Sequence, residues 1–163
     1  MLITFALLVL AFAPQAQDPT IPAAGHILYM VEGRGMQVYR CTAQNGSFQW
    51  TFESPEATLF DISTQRQVGS HGAGPTWTWK DGSAIVGKVL QKTASADPAN
   101  IPWLLLETHP TGSASGALSN VTLVRRSGTH GGNAPMAGCD AEHRDTVARI
   151  PYTATYTFYT PTP

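Results

Sequence analysis

Residues 152–159 alternate aromatic or small side chains with threonine, and this alternation constrains the fold more than any other feature of the chain. Successive residues of a β-strand point to opposite faces, so a period of two predicts a strand with one face on the core. Residues 48–53 alternate three aromatic with three polar residues in the same manner. Residues 55–61 are expected to form a further short strand.

Similar segments recur along the chain at intervals of roughly 8–12 residues, separated by glycine, proline, asparagine or aspartate. Asn45-Gly46 and Asp81-Gly82 are hairpin signals, because both residue types in each pair tolerate positive φ. Helical periodicity is nearly absent. The pattern predicts an all-β chain that forms a single antiparallel β-sandwich or barrel of about ten short strands, with little helix. It does not distinguish the sandwich from the barrel.

Three expectations concern individual strands. Residues 26–31 and 36–41 are expected to pair as a hairpin around a turn at residues 32–35. Residues 101–106 are apolar on both faces, which is typical of a central strand covered on both sides. Residues 121–126 are expected to form a strand whose charged end reaches solvent.

Cys41 and Cys139 are the only cysteines among the 163 residues. In an exported protein, such a pair is expected to form one disulfide, with two inert thiols or a soft metal pair as the alternatives. Neither cysteine has the Cys-x-x-Cys or histidine spacing of a zinc site. Residues 127–149 show no period, and a loop of that length is usually functional or tied down. Cys139 is expected to fasten this long loop.

The N-terminal residues 1–13 are apolar and uncharged, and they are too few to span a bilayer as a helix. They fit the apolar part of a secretory signal, with a cleavage region after Pro14. We therefore expect a signal peptide over residues 1–16 and a single β domain over residues 17–163, secreted or periplasmic. A buried first strand is the alternative.

The low content of charged residues limits the classes of partner that the sequence predicts. Charged residues make up 13% of the chain, and the formal net charge is −1. Nucleic acids and anionic membranes attract basic surfaces, so neither is expected as a partner. No segment after the N-terminal one is long and apolar enough to cross a membrane. The sequence does not predict the oligomeric state.

The chemically richest stretch is residues 68–83. His71, Gly72 and Gly74 lie on a Gly-rich loop, where small neighbours let a ligand approach the backbone closely. Trp77 would suit a sugar ring or an aromatic ligand if one face were exposed. The structural alternative is that His71 fixes the loop by hydrogen bonding and that Trp77 belongs to the core.

Asp81 could pair with His71 if the strand folds back, although aspartate before glycine is usual hairpin chemistry. His130 lies in a second Gly-rich loop. No Ser-His-Asp order, paired carboxylates or phosphate loop identifies catalytic residues, and no cofactor is predicted. No metal site is predicted either, because Asp140-x-x-His143 offers only two ligands. The decisive question is whether these histidines and Asp81 converge.

Several motifs together resemble a secreted domain of unknown function, family 3455, found in bacteria and fungi. They are Gly35-x-Gln37-x-Tyr39-x-Cys41, Pro55-Glu56-Ala57-x-Leu59, Val68-Gly69-x-His71-x-x-Gly74-Pro75-Thr76-Trp77, Asp81-Gly82-Ser83, Ile101-Pro102-Trp103-Leu104-Leu105, Thr129-x-Gly131-Gly132-x-Ala134-Pro135 and Pro151-Tyr152-x-Ala154-x-Tyr156-x-Phe158-Tyr159. Members of the family are sometimes labelled malate dehydrogenase. That activity would require Gly-x-Gly-x-x-Gly between a strand and a helix, which this chain lacks.

Three functions follow as hypotheses. The first is a non-enzymatic exported module that binds a small molecule, glycan or cell-envelope component near His71. The second is a metal-dependent or His-based hydrolase that uses His71 with Asp81 and possibly His130. The third is a structural or protein-interaction domain, which a featureless pocket and an exposed apolar patch would favour.

Overall fold

The computed structural model describes residues 18–112 and 115–161. Eight antiparallel strands follow one another around a closed barrel, in which the last strand pairs with the first. They are β1 (His26–Gln44), β2 (Ser47–Asp61), β3 (Gln67–Gly72), β4 (Thr76–Trp79), β5 (Ala84–Thr93), β6 (Trp103–Pro110), β7 (Leu123–Gly131) and β8 (Val147–Thr160). The predicted all-β fold is confirmed as a barrel, and the described residues contain no helix. The predicted signal peptide at residues 1–16 lies outside the described residues.

β1 runs without a break through the predicted turn, so the expected first hairpin is wrong. Its glycines serve close contacts between strands. A Cβ atom on Gly33 would lie 2.6 Å from Cε2 of Tyr156. A Cβ atom on Gly35 would overlap the Glu56 carbonyl oxygen and lie 2.5 Å from Cα of Ala57. Glycine is required here because a neighbouring strand or ring occupies the space of a side chain.

The two strands predicted in the next segment are also one strand, β2, so the barrel has eight strands rather than about ten. Val38 faces Ser54 and Tyr39 faces Phe52, which leaves Glu53 as the extra residue of a β-bulge. A bulge bends its strand without ending it. The residues that predicted a break between two strands therefore mark a bend within one strand.

Neighbouring strands alternate in direction, so the barrel has two distinct ends. The connections β1–β2, β3–β4, β5–β6 and β7–β8 lie at one end, which we call the mouth. The connections β2–β3, β4–β5 and β6–β7 lie at the other end, the floor, beside His26 and Thr160.

The apolar core extends from the floor towards the mouth, where Trp77, Leu106 and Tyr156 also line the open space. Trp77 and Trp79 share the inward face of β4, as the alternation predicts, and their rings lie 6.2 and 5.6 Å from that of Phe158. Leu118 and Val121, from the β6–β7 connection, are fully buried and close the floor. The core also contains Val31, Leu59, Ile85, Leu106, Val124 and Tyr156. At the floor, a depression of about 510 Å³ lies beside the β6–β7 connection and the end of β8, and its lining is more polar than that of the depressions at the mouth.

Both faces of β6 are covered, as predicted for this apolar segment. Leu106 belongs to the core inside the barrel, and Leu105 on the outer face is only 7% exposed. The guanidinium of Arg125 lies 5.5 Å from the Trp103 ring centre on that outer face. An ion pair with Asp18 at 2.7 Å holds Arg125 in place. The segment before β1 thus covers part of the outer wall.

Cys41 and Cys139 form the predicted disulfide, with an S–S distance of 2.05 Å. The disulfide ties the β7–β8 connection, residues 132–146, to β1 at the mouth. This loop is shorter than predicted because β7 and β8 extend into it. The indole Nε1 of Trp50 donates to the Ala137 carbonyl oxygen at 3.0 Å, which fixes the loop against β2 as well.

Candidate ligand-binding site

The mouth of the barrel holds two adjoining depressions of about 300 and 350 Å³. Phe52, Val89, Leu104 and Arg126 line both of them, so we treat the pair as one mouth cavity. Its volume is at the lower end of the range of small-molecule sites, and apolar side chains dominate its lining. A small ligand with an apolar body would fit this shape.

His71 points into the barrel from β3 and forms part of the cavity wall. Its ring stacks on Trp77 with centres 4.5 Å apart and meets the Tyr156 ring edge-on at 5.0 Å. Its Nδ1 atom lies 3.0 Å from the Thr76 carbonyl oxygen. Because a carbonyl oxygen only accepts, Nδ1 carries the proton and Nε2 is an acceptor.

Burial keeps this imidazole uncharged. His71 is only 4% exposed, and removal from water lowers its pKa from 6.5 to about 3. The hydrogen bond to Thr76 opposes this effect, whereas the positive charge of Arg126 adds to it. At neutral pH, His71 is therefore a neutral ring and a weak base.

Trp77 is a wall of the cavity rather than an exposed stacking surface. It is 1% exposed, and His71 covers one of its faces. Its Nε1 atom is buried without a hydrogen-bond partner among the described residues. Gly87 on β5 makes room for the indole, since a Cβ atom there would lie 2.9 Å from the ring. The structure thus favours the core interpretation of Trp77.

Gly72 is the last residue of β3, and Gly74 lies within the β3–β4 turn at the mouth. Gly74 lines the mouth cavity and has a φ of 92°, which favours glycine. Gly72 ends β3 and lines a shallower outer depression of about 590 Å³, to which His71 also contributes. A binding role for either glycine stays a prediction.

Asp81 lies at the opposite end of the barrel, in the β4–β5 turn at the floor. It accepts hydrogen bonds from the hydroxyl and the backbone N–H of Ser83 and from the backbone N–H of Ala117. These bonds hold the pKa of its carboxyl group below the usual value, with the Ser83 hydroxyl as the largest cause. The structure does not bring Asp81 to His71, and its contacts are those of a hairpin residue.

His130 and His143 also lie apart from the cavity. His130 is exposed and pairs with Thr153 on β8. The Nδ1 atom of His143 lies 2.7 Å from Asp140, which also accepts from the backbone N–H of His143 in a turn of the β7–β8 loop. Within residues 18–112 and 115–161, no group of three potential ligands stands ready for a metal ion. The four groups do not converge.

Arg126 is the residue of the cavity that the sequence analysis placed wrongly. It was expected to reach solvent, but it pairs with Leu104 and Tyr156 on the neighbouring strands and lines the cavity with them. The period of two places Arg126 on the same face as Val124, but the sequence alone does not say that this face is the inside of the barrel. The sequence Arg125-Arg126 thus places one cation outside the barrel and one inside.

A polar cluster accompanies Arg126 inside the barrel. The hydroxyl groups of Tyr152 and Tyr156 lie 3.1 Å apart. Burial raises the pKa of both, so both keep their protons, although the charge of Arg126 acts in the opposite direction. Gln37, 2% exposed, is near enough to Tyr152 to lower its pKa weakly. The cluster is neutral apart from Arg126.

Comparison with protein families identifies the chain. A family described as Protein of unknown function (DUF3455) matches residues 22–160. The chain belongs to the DUF3455 family. The resemblance inferred from the sequence motifs is confirmed. No curated protein and no solved structure gives a significant match.

Motif segments that are distant in the DUF3455 sequence meet at the mouth. Gln37 and Tyr39 come from the first of them, and His71 comes from the Gly-rich one. Ile101 comes from the segment before β6, and Tyr156 comes from β8. Part of the mouth cavity is therefore built from the segments that carry the family resemblance, whereas Phe52, Val89 and Arg126 lie outside them.

Proposed function

We propose that this DUF3455 chain is an exported, non-enzymatic binding module that holds a small, mainly apolar molecule in the mouth cavity beside His71. One observation carries the proposal: the barrel is closed at its floor by a packed core and open at its mouth into an apolar depression. Eight-stranded barrels commonly fill their interior or hold one small ligand there.

The rim of the cavity supports this proposal. Phe52 and Val89 are 50% and 48% exposed, and both line the two depressions. Large apolar side chains left in water at a concave site are typical of ligand-binding grooves. A ligand with an apolar body would cover them and gain the free energy of removing that surface from water.

The chemistry of His71 favours binding over hydrolysis. A general base is most effective when its pKa lies near the working pH, and burial lowers the pKa of His71 to about 3. Asp81, the partner that the hydrolase hypothesis assigns to it, is hydrogen-bonded to Ser83 and Ala117 at the floor. In the proposed module, His71 instead offers a neutral ring face and an acceptor nitrogen to the ligand.

Export is part of the proposal. The Cys41–Cys139 disulfide is the kind of bond that forms and persists in oxidising compartments. The described residues include no helix that is long and apolar enough to cross a membrane. Expression of the full chain in a bacterium, followed by N-terminal sequencing, should give a mature protein that begins after Ala16. Recovery of the full-length chain from the cytoplasm would refute export.

Binding is tested with N-phenyl-1-naphthylamine, a neutral apolar dye whose fluorescence rises when it leaves water. Val89 lines the cavity, whereas Leu90, its 47% exposed neighbour on β5, does not. We expect Val89→Asn to weaken dye binding and Leu90→Asn, the matched control, to leave it unchanged. No binding by the unmodified protein, or equal loss in both variants, would contradict the proposal.

A further inference from the structure

We infer that the ligand of the mouth cavity carries an anionic group, a carboxylate or sulfonate at the end of an apolar body, which binds Arg126. This inference rests on the proposed function, because it specifies the ligand of the same cavity. Three observations support it: the unpaired charge of Arg126, the neutrality of its surroundings, and a second buried donor on the cavity wall.

The charge of Arg126 has no counter-ion in the part of the chain that the structure describes. The Pro102 carbonyl oxygen accepts from its Nε and Nη2 atoms at 3.1 and 2.9 Å. The guanidinium also donates to the Tyr156 hydroxyl. These two neutral partners leave further N–H donors of the guanidinium for another group. Arg66 also has no ion pair among the described residues, but it is exposed to water. The remaining arginines each pair with a carboxylate; they are Arg34, Arg40, Arg125, Arg144 and Arg149.

The acidic residue that lines the cavity is paired with another arginine. Glu53 lines the first depression together with Arg126. Its two carboxylate oxygens accept from Nε and Nη2 of Arg40, at 2.5 and 3.2 Å, on the outer side of the β-hairpin. The linings of the two depressions contain no other carboxylate among the described residues. The described residues of the lining therefore supply no counter-ion for Arg126.

The groups around Arg126 do not balance its charge. His71 is a neutral ring, and the hydroxyl groups of Tyr152 and Tyr156 keep their protons. A cation in such partly dry surroundings gains more from an opposite charge than it would in water. The wall thus presents a positive potential to the ligand space.

Gln37 supplies a second donor. It is 2% exposed and lines the second depression with Arg126. Its Nε2 atom makes no hydrogen bond of good geometry with any described residue, because its interaction with the Tyr152 hydroxyl is weak, and buried amide groups are rarely left in that state. An anionic oxygen held by Arg126 offers Gln37 an acceptor. Two oxygens of a carboxylate or sulfonate would then satisfy two different wall groups.

The apolar lining limits the class of anion. Phe52, Val89 and Leu104 extend along both depressions beside the guanidinium. Inorganic phosphate would leave this surface in water and would lose hydration without compensation. An organic acid with a short acyl chain or an aromatic body uses both the charge and the apolar wall. The inference therefore excludes small inorganic anions as the main ligand.

The test compares two dyes that differ in one group. 8-Anilino-1-naphthalenesulfonate is N-phenyl-1-naphthylamine with an added sulfonate. We expect Arg126→Met to weaken binding of the sulfonate dye about tenfold and to change binding of the neutral dye little, because only the former loses a charge-assisted hydrogen bond. The control is Arg66→Met, which removes an exposed cation from the β2–β3 connection at the floor. It should change neither affinity.

A competition on the unmodified protein provides a second test that does not depend on the folding of a variant. Octanoate should displace the neutral dye at a concentration about tenfold lower than octanamide does, and inorganic phosphate should not displace it. Equal potency of the acid and the amide, or an unchanged sulfonate affinity in a folded Arg126→Met protein, would overturn the anion inference alone. Failure of the neutral dye to bind at all would overturn the proposed function.

Discussion

Acidification should destabilise this protein through His71 in particular. The pKa of this histidine is 6.5 in an unfolded chain and about 3 in the folded protein, because burial disfavours the charged ring. Below about pH 6.5 the unfolded state therefore binds a proton that the folded state refuses. The contribution of His71 to the free energy of unfolding is therefore complete above about pH 6.5, and it is lost as the pH falls towards about 3.

The size of the effect follows from the same pKa difference. Each unit corresponds to about 1.4 kcal/mol, so the whole window from 6.5 to about 3 is worth about 5 kcal/mol. At about pH 4, which is still above the folded-state pKa, the free energy of unfolding is lower than at neutral pH by about 3 kcal/mol. Domains are typically stable by about 5–15 kcal/mol, so such a loss is easily measured.

The assay is urea unfolding of the unmodified protein and of His71→Phe, at about pH 7 and about pH 4, followed by tryptophan fluorescence. Phenylalanine can keep the stacking on Trp77, but it leaves the Thr76 carbonyl oxygen without its donor. The variant should therefore be less stable by about 1–3 kcal/mol at neutral pH. The difference should vanish or reverse in acid, because the variant lacks the titrating ring.

Other titratable groups do not alter the difference in stability between the two proteins. Asp61 has its pKa lowered to about 2 by hydrogen bonds from Ser63 and Thr64, so it also contributes stability that is lost in acid. That loss occurs equally in both proteins and cancels in the difference between them. If His71→Phe lost as much stability as the unmodified protein between the two pH values, the assignment of a neutral buried His71 would be refuted.

Three further predictions concern the strands, the disulfide and the floor. Gly35→Ala should destabilise the barrel by about 2–3 kcal/mol in the same urea assay, because the added Cβ would overlap β2. Gly72→Ala is the control, and it should change stability little because the space at its Cβ position is open. Replacement of both Cys41 and Cys139 by alanine opens a loop with a sequence separation of 98 and should cost about 4.7 kcal/mol. A loss below about 1 kcal/mol would contradict the chain-entropy account, in which the bond acts by restricting the unfolded chain. Asp81→Asn should lower the melting temperature but leave dye binding unchanged, and a loss of binding in a folded variant would place Asp81 in the site after all.

The parts of the fold that the sequence predicted are those governed by local rules. The alternation in β8 and the positive φ values of Asn45 and Gly46, 49° and 80°, follow from strand and turn geometry alone. The disulfide follows from the count of cysteines. None of these features depends on which strands become neighbours in the closed sheet.

The errors have a different origin. Gly33 and Gly35 look like turn residues locally, and only the approach of β2 and β8 shows that they are sites of close contact. Sheet closure also decides which face of β7 is the inside, and so it decides that Arg126 lines a cavity. His71 and Asp81, ten residues apart in sequence, lie at opposite ends because β4 runs the whole way between them. Non-local geometry therefore determined the site.

The separation of floor and mouth has a consequence for how this domain can change over evolutionary time. The buried core and the β6–β7 connection hold the floor together, while the rim of the cavity comes from three other connections, β3–β4, β5–β6 and β7–β8, and from the strands beside them. Substitutions at the rim remove little buried apolar surface, so they can alter ligand preference at small cost to folding. One barrel can in this way give rise to relatives with different specificities, and the same property makes it a practical starting point for engineered binders.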